Sequence, residues 1–115
     1  MGRAVVATPA MWERLKVWLQ AGSGHKVPAQ LNFTNATLRH MHDPARHVPH
    51  HILREAIRFG QSLPDPRGAA QAFYMVIFKN GNPYNLKVIY DRATNTVLHF
   101  HYTREAMGPL SAILR

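Results

Sequence analysis

The fold is decided by residues 71–103, "QAFYMVIFKNGNPYNLKVIYDRATNTVLHFHYT", in which apolar side chains recur at nearly every second position. This period of two is typical of β-strands. The first run, 71–79, is apolar on both faces and predicts a central strand. Two more strands are predicted at 85–91 and 96–103, and "NGNPY" and "RATN" between the runs predict turns. This half of the chain therefore predicts an antiparallel β-meander.

The N-terminal half has helical spacing instead and predicts three helices. The first spans about residues 8–22. A short second helix in "NFTNATLRHMHDPARH" begins at Thr34 or Asn35 and ends before Pro44, because a residue that precedes proline avoids the helical region. The third covers 49–60 and carries an apolar stripe on one side.

The order of these elements predicts one α+β domain over residues 1–115, with N-terminal helices packed on the antiparallel meander. Residues 62–70 are expected to form a loop. Residues 104–115 are expected to end the chain with a short helix.

The chain is strongly basic and has no cysteine. Fourteen Lys and Arg residues oppose six Asp and Glu residues, which gives a formal net charge of +8. Such an excess favours polyanionic partners, and nucleic acid is the first candidate. The lack of cysteine excludes disulfides, thiolate zinc sites and a cysteine nucleophile. No apolar run approaches the roughly 20 residues of a membrane helix, so we expect no stable membrane association.

The last predicted strand carries two histidines on one face. Strict alternation of side chains sends one set toward the core and the other away from it. On the preceding strand, Lys87 is expected to emerge on the outward face, close to one of these histidines. The sets are Leu98, Phe100 and Tyr102 facing the core, and Val97, His99, His101 and Thr103 facing outward.

Two imidazoles and an ammonium group on one open face can supply a general base, a general acid and a cation that stabilises negative charge. This set suits metal-free cleavage of RNA. One group takes the proton of a 2′-hydroxyl, a second protonates the leaving 5′-oxygen, and the cation stabilises the phosphorane. An ordinary solvated sheet face is the alternative interpretation.

A second group of histidines lies in "RHMHDPARHVPHH", residues 39–51. Their spacing is compatible with a zinc or nickel site. However, Asp43 is the only carboxylate nearby and prolines interrupt the helical spacing, so we predict neither a metal nor another cofactor. Arg39 and Arg46 are candidates for phosphate binding. His40, expected near the surface, is a candidate for the acid–base set.

Arg54 and Arg58 are four residues apart in the third predicted helix, so they share one face of it. This face is either a phosphate-contacting edge, with both arginines binding substrate, or a solvated surface.

The segment from about residue 31 to residue 110 resembles a known family. The resemblance is strongest in "PDPRG", "NGNPYNL", "VIYDRATNTVLHF" and "YTREAMGPL". These motifs are similar to the C-terminal toxin domains of contact-dependent growth inhibition proteins and related filamentous haemagglutinin-like polymorphic toxins. The branch that the chain resembles has the barnase–EndoU–colicin–RelE architecture, in which a few helices pack on an antiparallel sheet.

The resemblance implies a metal-independent ribonuclease, often directed at tRNA and neutralised by a cognate immunity protein, which we expect to be acidic. It also implies a C-terminal piece of a larger exported cell-surface protein, active in the cytoplasm of a target bacterium. Active sites in this group of toxins use the exposed sheet face and the helix before it. In this chain the resemblance therefore implies site residues His99, His101, Lys87, His40 and Arg46. Many related nucleases place a histidine after "FT", where this chain has Asn35, so His40 becomes the helix candidate.

Other functions remain open at this point. A basic module that binds nucleic acid or a protein without catalysis would explain the charge equally well. A nuclease that depends on a histidine-bound metal is a further alternative.

Overall fold

The computed structural model describes residues 12–14, 26–65, 68 and 70–114, which form an α+β structure of two helices and a six-stranded sheet. The predicted fold class is therefore confirmed. Neither helix in this part of the chain is long and apolar enough to cross a bilayer. The elements in chain order are β1 (Trp12–Arg14), β2 (Asn32–Phe33), α1 (Asn35–His42), α2 (His50–Phe59), β3 (Gln61–Pro64), β4 (Gln71–Lys79), β5 (Asn82–Asp91) and β6 (Thr96–Thr103).

The sheet is built around the predicted meander β4–β5–β6, which is antiparallel throughout. Its first hairpin closes through Asn80 and Gly81, whose φ angles of 54° and 81° suit the two-residue turn that an Asn-Gly pair favours. The full strand order is β1-β4-β5-β6-β2, and β3 also pairs with β4. The expectation of an entirely antiparallel sheet was wrong, because β2 pairs in parallel with the start of β6.

The helix predictions have mixed outcomes. α1 and α2 form where the sequence predicts them, and Thr34 caps α1 by accepting a hydrogen bond from the Thr37 amide. The predicted helix at 8–22 lies mostly outside the described residues, and its described part, Trp12–Arg14, is strand β1 paired with β4. Part of the predicted 62–70 loop belongs to β3.

The C-terminal segment also differs from its prediction. Residues 104–114 contain no helix, and they turn back on themselves through hydrogen bonds between Met107 and Leu110 and from the Ile113 amide to the Arg104 carbonyl. The glycine at 108 explains this, because its φ of 50° departs from helical geometry. A side chain there would also collide with the ring of Tyr74.

The main core lies between the sheet and the helices. The apolar stripe of α2 is buried against alternate residues of the three meander strands. These buried residues are Ile52, Leu53, Ala56 and Ile57 from α2, Phe73, Met75 and Ile77 from β4, Leu86, Val88 and Tyr90 from β5, and Val97 and Phe100 from β6.

A β-bulge breaks the strict alternation in β6. Ile89 pairs with His99, but the next residue of β5, Tyr90, pairs with Val97, so Leu98 is an extra residue between them. Leu98 is consequently 39% exposed, whereas Val97 is buried. The predicted positions of these two residues were therefore wrong. From His99 onward the alternation is as predicted, with Phe100 in the core and His101 exposed.

The opposite face of the sheet is only partly open. Near the hairpin end, the buried amide of Asn85 donates hydrogen bonds to the carbonyls of Glu105 and Ser111, both at 2.9 Å, and so holds the C-terminal segment against this face. Farther along, Ile89 is buried with Ala70 and Ala72. Lys87 and His101 lie opposite each other on this face, between the two covered regions.

Candidate active site

His40 of α1 lies close to His99 and His101 of β6. The ring centroids of His40 and His99 are 6.1 Å apart, and those of His99 and His101 are 6.4 Å apart. These residues line a cleft of about 320 Å³, which we call the histidine cleft. Its lining residues are His40, Ala45, Arg46, His99, Phe100, His101 and Tyr102.

Lys87 lies directly opposite His101 in the antiparallel ladder between β5 and β6. Residues opposite each other in such a ladder project from the same face of the sheet. The predicted meeting of Lys87 with one of the strand histidines is therefore present in the structure. Lys87 and His99 also line a neighbouring cleft of about 420 Å³, together with Asp65 and Asp91. The two clefts meet at His99.

His40 reaches the strand histidines because β2 leaves most of β6 unpaired along this edge. β2 pairs with β6 only at Thr96 and Val97. Beyond that point α1 approaches β6, and the Thr37 hydroxyl donates a hydrogen bond to the Val97 carbonyl. His40 follows Thr37 by three residues and therefore lies on the same side of the helix.

Arg46 completes the cleft on the side of His40. Its Nη1 lies 2.9 Å from Nε2 of His40, and its Nε lies 3.9 Å from Oδ2 of Asp43. The Arg46 side chain is nevertheless 63% exposed. A guanidinium group held at its base and open to solvent is well suited to binding a phosphate.

The loop that carries Arg46 is fixed on both sides. Asp43 accepts a side-chain hydrogen bond from the Ala45 amide, and its carbonyl accepts from the amides of Arg46 and His47. From β6, the Tyr102 hydroxyl donates to the Ala45 carbonyl at 3.0 Å. The loop is therefore tied to the strand that bears His101.

Hydrogen bonding defines the proton position on His40. Arginine has no acceptor atom, so Nε2 of His40 must accept the bond from Arg46. The neutral ring then carries its proton on Nδ1. This nitrogen is buried, and no hydrogen-bond partner for it occurs among the described residues.

The surroundings of His101 favour its neutral form. Partial burial of the ring lowers the pKa of His101 below its ordinary value, and the positive charges of Lys87 and Arg46 lower it further. Glu105 opposes this shift. A neutral imidazole has a free lone pair, which a general base needs, and the two neighbouring cations disfavour the protonated form that lacks it.

The other predicted phosphate-binding arginines lie elsewhere. Arg39 is exposed on α1, and neither of these two clefts includes it in the described part of the structure. Arg54 and Arg58 line a different cavity beside α2, with Lys26, Val27 and Pro28. The structure thus brings together His40, Arg46, Lys87, His99 and His101, and it separates Arg54 and Arg58 from them.

The remaining histidines of segment 39–51 do not converge. His47 is hydrogen-bonded through Nδ1 to the Met41 carbonyl, and Nε2 of His50 accepts a hydrogen bond from the Leu31 amide. His42 and His51 are exposed. Within the described ranges, no three histidine or carboxylate side chains are grouped as they would be around a metal ion.

Sequence reasoning missed two residues that position this site, Thr37 and Tyr102. Thr37 anchors α1 to β6, and Tyr102 anchors the Arg46 loop. The three-residue spacing of Thr34 and Thr37 indicates a helix start, but it gives no sign of the bond to β6. Tyr102 occupies a core-facing position, so its hydroxyl contact with the loop was not expected.

No known protein family, curated protein or solved structure matches the chain significantly.

Proposed function

We propose that this chain is a metal-independent endoribonuclease and acts as an antibacterial toxin domain of the contact-dependent growth inhibition type, with the barnase–EndoU–colicin–RelE architecture. One observation carries the catalytic part of this proposal. His40, His99 and His101 line one cleft with Arg46, and Lys87 lies opposite His101. The toxin assignment and tRNA as the substrate are supported by the resemblance in sequence.

In the proposed reaction, neutral His101 takes the proton from a ribose 2′-hydroxyl. The 2′-oxygen then forms a bond to the adjacent phosphorus, and the bond from phosphorus to the 5′-oxygen breaks. Protonated His99 gives a proton to that leaving oxygen. The products are a 2′,3′-cyclic phosphate and a free 5′-hydroxyl, so atoms and charges balance.

The cations have separate tasks. Arg46 binds the non-bridging phosphate oxygens and stabilises the charge that accumulates on them. His40 and Asp43 hold the guanidinium for this task, so we regard them as positioning residues. Lys87 adds to the effect of burial in lowering the pKa of His101, and it adds positive charge at the boundary between the two clefts.

The direct experiment incubates the protein with total tRNA in the presence of EDTA. The wild-type protein should produce fragments that end in 2′,3′-cyclic phosphate. His101→Ala should reduce the rate by about 10²- to 10⁴-fold, which is the usual contribution of a general base. His51→Ala is the matched control, because His51 is an exposed histidine of α2 outside the cleft.

Other results would identify the alternatives. Intact RNA in EDTA, with cleavage restored by Zn²⁺ or Ni²⁺, would replace this proposal with a metal-dependent nuclease. Tight tRNA binding without cleavage under any condition would indicate a non-enzymatic module.

The proposal includes an acidic immunity protein that covers the histidine cleft. Carboxylates are suited to a surface that bears Arg46, Lys87 and three histidines, since they satisfy the groups that would otherwise bind phosphate. Arg46→Glu and Lys87→Glu should each weaken binding of this protein. An inhibitor whose affinity is insensitive to both changes would contradict the expected interface.

A further inference from the structure

A second concentration of positive charge lies on the helix-covered side of the sheet. Lys26, Arg54 and Arg58 line one cavity of about 500 Å³ beside α2, together with Val27 and Pro28. No carboxylate belongs to this lining in the part of the chain that the structure describes. The groups that face this cavity therefore favour an anion.

The two guanidinium groups are held in place before any ligand binds. Arg54 donates from Nε to the Pro28 carbonyl and from Nη2 to the Val27 carbonyl, both at 2.9 Å. Arg58 follows one turn later, and its guanidinium carbon lies 4.8 Å from the centroid of the Phe59 ring. Because these contacts already restrict the side chains, binding an anion would cost little additional conformational entropy.

The backbone carbonyls of the segment that lines the cavity, residues 26–28, already accept hydrogen bonds from arginine side chains. Those of Val27 and Pro28 accept from Arg54, and the Lys26 carbonyl accepts from Nη1 of Arg92 at 3.3 Å. Arg92, a further cation, is therefore in contact with the backbone of Lys26. In the part of the chain that the structure describes, the bonds to the Pro28 and Val27 carbonyls use Nε and Nη2 of Arg54, so Nη1 can donate to a phosphate oxygen.

We propose that this cavity is a second phosphate-binding site, which holds a backbone phosphate of the RNA substrate remote from the cleaved bond. The inference rests on the proposed ribonuclease function. α2 packs on the core face of the sheet, whereas Lys87 projects from the opposite face. The linings of this cavity and of the histidine cleft share no residue, so we expect a dinucleotide bound in the cleft to leave the cavity empty. A folded RNA that wraps the edge of the sheet can occupy both, which makes this site a source of preference for structured RNA.

The test compares two arginines that each lie over an aromatic ring, although Arg104 also donates from Nε to the Pro83 carbonyl at 3.4 Å. Arg58 stacks on Phe59 in the cavity, and Arg104 stacks on Tyr84 outside it, with 4.7 Å from guanidinium carbon to ring centroid. Arg58→Gln and Arg104→Gln therefore remove the same charge and the same kind of ring contact. Lys26→Gln is a second cavity variant that leaves α2 unchanged.

Each variant is assayed for kcat/KM on tRNA and on a dinucleoside monophosphate that the wild type cleaves. Arg58→Gln and Lys26→Gln should each raise KM for tRNA several-fold and reduce the salt dependence of tRNA binding by about one phosphate contact. Their activity on the dinucleotide should equal that of the wild type. Arg104→Gln should behave as the wild type on both substrates.

The outcomes separate the two proposals. Unchanged tRNA kinetics in both cavity variants, or an equal loss on tRNA and dinucleotide, would overturn the second site and leave the active site intact. If the wild type cleaves neither tRNA nor the dinucleotide, the proposed function itself is overturned.

Discussion

Arg46 donates a hydrogen bond from Nη1 to Nε2 of His40, and the second ring nitrogen of His40 is buried. This contact joins the loop after α1 to the helix itself and fixes both partners at the mouth of the histidine cleft. A phosphate that enters the cleft meets the exposed part of a guanidinium group that is already oriented. The same contact determines which nitrogen of His40 carries the proton.

The first prediction concerns that proton. In the wild-type protein at neutral pH, His40 should be the Nδ1–H tautomer, because Nε2 accepts from Arg46. In Arg46→Ala, Nε2 of His40 no longer has a donor to accept from, so the Nε2–H tautomer should become populated. Long-range ¹H–¹⁵N spectra of the imidazole distinguish the two forms. Arg46→Lys, which retains a donor, should preserve more of the Nδ1–H form than Arg46→Ala does. A wild-type His40 in the Nε2–H form would contradict the assigned contact.

The second prediction concerns Lys87 and His101. Lys87→Met keeps most of the side-chain length but removes the positive charge, so the pKa of His101 should rise. A ¹H–¹³C NMR titration of the ring measures this change directly. His50 provides an internal control, because its lowered pKa comes from burial, Arg54 and His51, without Lys87.

The same shift should appear in catalysis. In the proposed reaction His101 acts as the base in its neutral form, so activity should rise as the pH rises through the pKa of His101. This rising limb should move to higher pH in Lys87→Met. A His101 pKa that does not respond to the loss of Lys87 would mean that the lysine points away from the ring.

The meeting of Lys87 with one of the strand histidines was predictable from sequence, because Lys87 and His101 lie in regularly alternating parts of their strands. The bulge at Leu98 precedes His99 and leaves the alternation after it unchanged. The bulge could not be predicted from the sequence, because a leucine at position 98 is compatible with either face of a half-buried strand. The Asn-Gly turn and the start of α1 after Thr34 were predictable because their chemistry is local.

Other features depended on tertiary contacts. β2 has only two residues, and its Asn32 is anchored to the carbonyls of Thr94 and Asn95 across the chain. The approach of His40 to His99 follows from the short reach of β2 and from the bond between Thr37 and β6. Neither leaves a periodic signal in the sequence.

The third prediction tests the bulge through stability. Leu98→Ala should change the free energy of unfolding by less than about 0.5 kcal/mol, as is usual for surface positions. Leu86→Ala should cost about 2–5 kcal/mol, because Leu86 is fully buried in the main core. Urea unfolding of both variants measures the difference. A comparable loss of unfolding free energy in the two variants would contradict the bulge. It would support the original prediction, in which strict alternation places Leu98 in the core.

The fourth prediction concerns the dependence of stability on pH. Nε2 of His50 accepts a hydrogen bond from the Leu31 amide at 3.1 Å, so protonation of this nitrogen breaks the bond. Burial lowers the pKa of His50, and Arg54 and His51 lower it further. In the unfolded chain the pKa of this histidine is about 6.5. Between that value and the lower pKa of folded His50, the unfolded chain therefore binds more protons than the folded chain. The contribution of His50 to stability is fully present above about pH 6.5 and is lost as the pH falls toward its folded pKa.

His50→Gln isolates this contribution because it removes the titrating ring while its side-chain oxygen can still accept from Leu31. The free energy of unfolding of the wild type should fall between pH 7.5 and pH 5, and it should fall less in His50→Gln. His42→Gln, at the exposed C-terminal end of α1, should retain the dependence of the wild type. Chemical denaturation at each pH supplies the comparison. Equal slopes for the wild type and His50→Gln would show that the folded chain does not require neutral His50, and hence that the bond from the Leu31 amide does not contribute to stability.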